Sequence, residues 1–155
     1  MNDNYFELIK KYGKDILNNK TYQSQDKYIQ HGNTSIKEHE INVTIYCLKI
    51  AEKYKIKVDT RSLIRGTLLH DYFLYDWHIK DKNNKLHGFR HAKKALDNAC
   101  RDFELNDIEK NMIYCHMFPL NLRIPKTKEG LILCLADKIV ATKETLRINN
   151  NWFNP

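Results

Sequence analysis

Residues 63–71 read Leu-Ile-Arg-Gly-Thr-Leu-Leu-His-Asp. Leu63, Ile64, Thr67 and Leu68 recur at the three-to-four-residue step of one helix face. Asp59 or Thr60 stands ahead of them as a cap. His70 follows Leu63 by one heptad and Asp71 follows Ile64 by one heptad. Continued helical spacing therefore carries an imidazole and a carboxylate onto the buried face. A carboxylate there is costly unless it is paired or bound to a cation.

Working outward, the same pattern returns on other predicted helices. Upstream, Ser35-Ile36-Lys37-Glu38 has the form of a capping box and opens a helix to about residue 55. Its apolar stripe is Ile36, Val43, Cys47, Ile50 and Tyr54, and His39 lies on that stripe. Downstream, Asn106 and Glu109 repeat the cap pattern before a helix ending near Pro119, with His116 four residues after Met112. A last long helix spans about residues 127–147, with Leu131, Leu133, Cys134, Val140 and Ala141 inward. Asp137 falls three residues after Cys134 and three before Val140.

The rest of the chain is simpler. Residues 5–17 carry helical spacing, 18–33 read as a polar connection with one turn of helix, and 91–103 read as another helix. Tyr72, Phe73, Tyr75 and Trp77 suggest a short helix followed by an exposed loop over 80–85. That aromatic cluster suits core packing, or a wall for a flat ligand group. Five Gly, three Pro and no repeat or low-complexity linker favour helices over a turn-rich β fold. The expectation is an all-α, single-domain bundle of about six to seven helices over residues 1–155.

The net charge of +7 is compatible with anionic partners, with the lysines dispersed as on a solvated surface. No helix-turn-helix, zinc-finger or RNP-type motif is present, which disfavours nucleic acid as partner. Cys47, Cys100, Cys115 and Cys134 lack zinc-ribbon spacing and read as buried free thiols. Residues 1–20 hold no apolar leader, and no run approaches the ~18 apolar residues of a membrane span. The expected location is a reducing cytoplasm.

One histidine on an apolar face is commonly a hydrogen-bonded core residue, and Asp71 or Asp137 alone could be a packing ion pair. Several together on separate helices favour a metal site. Imidazole and carboxylate are ligands for Zn, Mn, Fe, Ni or Co, and the absence of thiolates argues against a structural zinc.

The order His39, His70-Asp71, Asp137 resembles the HD-domain superfamily of metal-dependent phosphohydrolases. His39-Glu40-Ile41-Asn42-Val43-Thr44 is similar to its opening ligand helix, Leu68-Leu69-His70-Asp71 to its signature pair, and Leu135-Ala136-Asp137-Lys138 to its closing aspartate helix. The resemblance covers about residues 30–145. It implies an all-α bundle and hydrolysis of a phosphomonoester or phosphoanhydride by a metal-activated water, with His70 and Asp71 at the centre of catalysis. Dinuclear members add two histidines between the His-Asp pair and the final Asp, which His91 and His116 match. The resemblance then implies one ion on His39, His70, Asp71 and Asp137, and a second on His91 and His116 with Asp71 bridging. A mononuclear site would leave His91 and His116 as pocket residues. His87 competes with His91, which directly precedes a helical run. His31, Arg90, Lys94 and Lys138 are candidate substrate contacts, the last three able to neutralise phosphate. His78 and His87 read equally well as surface residues. The expected partner is a small phosphorylated molecule, a nucleotide among the candidates. The alternatives are a di-iron oxygenase with the same ligand order and a non-catalytic, nucleotide-binding regulatory module.

Overall fold

The computed structural model describes residues 2–76 and 87–146. Helix α1 (Asn2–Tyr12) breaks at Gly13 before α2 (Lys14–Leu17), and α3 (Lys20–Gln23) follows with a 3-10 turn over Ser24–Lys27. Asn19 caps α3 by accepting from the amides of Thr21 and Tyr22. Strands β1 (Ile29–His31) and β2 (Thr34–Ser35) pair antiparallel. The polar connection expected over 18–33 is thus more ordered than its composition suggested.

Gly32 makes the hairpin turn with φ 58°, a backbone region that glycine enters without steric cost. A Cβ at Gly32 would also lie 2.7 Å from the Glu144 carbonyl oxygen, so the turn sits directly on the last helix.

The main bundle consists of α4 (Ile36–Lys53), α5 (Thr60–Leu68), α6 (His87–Asp102), α7 (Asp107–Cys115) and α8 (Lys128–Thr145). Helix α4 packs on α5 and α8, and α7 packs on α5, α6 and α8. Caps stand at Ser35, Asp59 and Asn106 as expected, and the last helix has one at Thr127 that was not singled out from sequence. Ser35 accepts the Glu38 amide, Asp59 the Ser62 amide and Thr127 the Gly130 amide. Asn106 and Glu109 form a full reciprocal capping box. Ile36, Val43, Leu63, Ile64, Leu68, Met112 and Leu133 are fully buried in one shared core. The all-α expectation holds, the two short strands aside.

Several expectations are corrected. Helix α5 stops at Leu68, so His70 and Asp71 lie in the turn beyond it and not on its face. Adjacent residues on a helix diverge by about 100°, and leaving the helix lets both point inward. Residues 72–76 are not helical; Leu74 has φ 63°, and Tyr72 and Phe73 are core residues. Helix α6 begins at His87, placing His91 one turn inside it. Tyr54 and Leu131 face outward, at 64% and 54% exposure. Cys100 is exposed, whereas Cys47, Cys115 and Cys134 are buried free thiols. His78, Trp77, the 80–85 loop, the side chain of His87 and the tail after 146 lie outside the described residues. Among the described residues no helix is long and apolar enough to cross a membrane.

Candidate metal centre

Four helices and one turn bring the six proposed ligand residues together. His39 comes from α4, His70 and Asp71 from the turn after α5, His91 from α6, His116 from the C-cap of α7, and Asp137 from α8. All six are buried. Their ligand atoms form two groups, His39–His70–Asp137 and Asp71–His91–His116, each drawn within 4.8 Å.

Asp71 joins the groups. Its Oδ2 lies 3.5 Å from His70 Nε2 and 3.8 Å from His39 Nε2. Its Oδ1 lies 3.3 Å from both His91 Nε2 and His116 Nε2. Asp137 Oδ1 lies 3.1 Å from His39 Nε2 and 3.5 Å from His70 Nε2. Each carboxylate therefore faces imidazole nitrogens.

Backbone and side-chain acceptors orient the rings. His70 Nδ1 donates to the Thr67 carbonyl at 2.7 Å, and His116 Nδ1 to the Ile113 carbonyl at 2.8 Å. A carbonyl only accepts, so Nδ1 carries a proton in each ring and Nε2 is the nitrogen turned to the interior. His39 Nδ1 faces Glu144 Oε2 at 2.7 Å. Gln30 Nε2 donates to Asp71 Oδ2.

The residues fit a cation. His70 Nε2 and Asp71 Oδ1 are buried without a hydrogen-bond partner, an arrangement that costs free energy unless something else satisfies them. His91 Nε2 and His116 Nε2 stand 2.8 Å apart, two inward nitrogens beside an unpartnered carboxylate oxygen. The oxygen and nitrogen donor set suits first-row divalent ions.

Electrostatics keep the carboxylates charged. Burial pushes Asp71 up, but the imidazoles of His70, His116 and His91 around it outweigh burial and hold the carboxyl well below the usual carboxylate range. Burial likewise opposes Asp137, and the imidazoles of His39 and His70 facing its Oδ1 hold it well below. Burial pulls His39 down, yet Asp137 and Glu144 outweigh it and hold the ring well above its ordinary value. Burial dominates at His116 and lowers it, favouring the neutral form.

The centre opens into a cavity of about 610 Å³, a size typical of small-molecule sites. Asp71, His91, His116 and Asp137 reach it, with His31, Gln30 and Lys138 at its wall. Lys138 Nζ donates to the carbonyls of His116, at 3.1 Å, and Cys134, at 3.2 Å. His31 stands edge-on to His39, ring centroids 5.0 Å apart. Arg90 and Lys94 are exposed on α6 and are not among the described residues lining the cavity.

Three supporting residues were missed from sequence. Glu144 follows Asp137 by one heptad, a spacing that could have revealed it. Asn42, whose Nδ2 donates to Glu144 Oε1 at 3.0 Å, follows His39 by three. Gln30 carried no signal, because its position depends on the hairpin.

The family model described as HD domain matches residues 36–142. The chain belongs to the HD-domain family, a superfamily of metal-dependent phosphohydrolases. It matches no curated protein and no solved structure.

Proposed function

We propose that this chain is a metal-dependent hydrolase of a small phosphorylated molecule, cleaving a phosphomonoester or phosphoanhydride at a dinuclear site. The observation carrying this reading is Asp71, which presents one carboxylate oxygen to each of two histidine groups. His39, His70, Asp71 and Asp137 would hold one ion, and His91 and His116 a second, with Asp71 between them. Divalent ions there supply positive charge to phosphoryl oxygens and acidity to the attacking water.

The remaining steps belong to the protein. The inward Nε2 atoms of His70 and His116 are fixed by their Nδ1 hydrogen bonds, so little reorganisation accompanies binding. Gln30 orients Asp71 through Oδ2. Lys138, tethered at the cavity, offsets phosphate charge. His31 stands where it can orient the substrate.

The test is elemental analysis of the purified protein and of Asp71→Ala, each assayed on a panel of phosphate esters. About two first-row ions per chain, lost with hydrolysis in the variant, supports the proposal. One ion would return His91 and His116 to the pocket wall. No metal after reconstitution would overturn the mechanism. Oxygen uptake after anaerobic iron loading, without hydrolysis, would assign the chain to oxidative chemistry. Tight nucleotide binding without product would make it a regulatory module.

A further inference from the structure

Two chemically different sets of residues line the cavity. Asp71, His91, His116 and Asp137 form one, and Met117, Pro119, Leu120 and Ala141 supply an apolar wall. Leu120 remains 47% exposed there. Of the polar side chains beside that wall, His31 packs edge-on against His39, and the other two are hydrogen-bonded within the protein. Gln30 donates to Asp71, and Lys138 donates to two backbone carbonyls.

Accepting the phosphohydrolase reading, we infer that the Met117–Pro119–Leu120–Ala141 wall holds the organic part of the substrate, and that the substrates are phosphate esters of apolar alcohols, aryl or alkyl. A nucleotide brings ribose hydroxyls and base edges that each need a partner. Every such group buried against apolar atoms costs about tenfold in binding or more. An aryl or alkyl group instead gains by leaving water. About 610 Å³ accommodates a phosphate together with a ring system.

The experiment uses the full metal-loaded chain. Rates on 2-naphthyl phosphate and hexyl phosphate are compared with those on glycerol phosphate and AMP. Binding of 1-naphthylphosphonate is followed by calorimetry at several temperatures. The expected result is at least about a tenfold higher kcat/KM for the apolar esters, carried in KM, and a negative heat-capacity change on phosphonate binding. Leu120→Asn should lower the naphthyl-to-glycerol preference about tenfold and weaken phosphonate binding similarly. Its half-exposed position spares the core. Leu122, in the same segment, is 81% exposed and does not line the cavity among the described residues. Leu122→Asn serves as control and should keep the wild-type preference. Its φ of 52° suits asparagine.

AMP hydrolysed as efficiently as the aryl ester overturns the inference and leaves the hydrolase standing. So does a Leu120→Asn effect equal on every substrate. If no ester is cleaved, the hydrolase reading fails, and phosphonate binding that depends on Leu120 still supports the apolar wall.

Discussion

Glu144 Oε2 lies 2.7 Å from His39 Nδ1, although 105 residues separate the two in the chain. Asn42 Nδ2 fixes the other carboxylate oxygen at 3.0 Å. The pair sets the His39 ring so that its Nε2 faces Asp137 and Asp71. Such outer partners commonly contribute 10- to 100-fold in metal affinity. Glu144→Ala should therefore weaken binding of the first ion by about 10- to 100-fold. Glu144→Gln should cost less, since its amide oxygen still accepts from Nδ1. Chelator competition on the two variants measures this directly. Affinity equal to wild type in Glu144→Ala would mean that Glu144 only packs α8 against α4.

Much of this centre was legible because burial and helical period act together. His39, Asp137 and His116 are found by counting along α4, α8 and α7, where an ionisable residue interrupts an apolar stripe. Counting succeeded for His70 and Asp71 only in part. It found them buried but put them on a helix, because periodicity cannot see where Leu69 ends α5. Outward Leu131 and Tyr54 show the same limit. Whether a stripe position is covered depends on which neighbour packs there. Gln30 and the hairpin were invisible for another reason. Their order comes from contacts with α8 at Glu144, more than 100 residues away.

Gly66 sets the approach of α5 to α7. A Cβ there would lie 2.6 Å from Met112 Sδ and 2.9 Å from Met112 Cε. Met112 is fully buried, so its flexible end has little room to retreat. Gly66→Ala gains helix propensity but overpacks the interface, and the net expectation is a loss of about 1–3 kcal/mol. The same contact holds the turn with His70 and Asp71 against the helix that ends at His116. Metal affinity should fall with stability. Denaturant unfolding of Gly66→Ala, Met112→Val and the double variant provides the check. The double variant should be more stable than the sum of the single losses predicts. Strict additivity would show that the two side chains do not compete for space.

Arg65 ties α5 to the first helices. Its side chain is 3% exposed, and its Nη1 lies 2.5 Å from Asp15 Oδ1 and 3.4 Å from the Tyr12 carbonyl. Burial pushes Asp15 up, but the hydrogen bond and charge of Arg65 outweigh it and hold the carboxyl below its ordinary value. A depressed folded-state pKa contributes stability that is fully present above the unfolded value, about 3.9, and is lost as pH falls through the folded value. Asp15 is itself more than half exposed, so water screens the pair. Asp15→Asn should cost less than about 1 kcal/mol at neutral pH. The gap between wild type and variant should close in the acid range below the ordinary aspartate value, and shrink with added salt. Arg65→Met should behave differently. It removes the cation whose Nε lies 3.2 Å from fully buried Glu109, leaving Arg61 as that carboxylate's remaining ion-pair partner among the described residues. A loss of about 3 kcal/mol is expected there. Urea unfolding of both variants from acid to neutral pH, at two salt concentrations, separates the two effects. An Asp15→Asn penalty that grew on acidification would reverse the assigned sign and remove Arg65 as its cause.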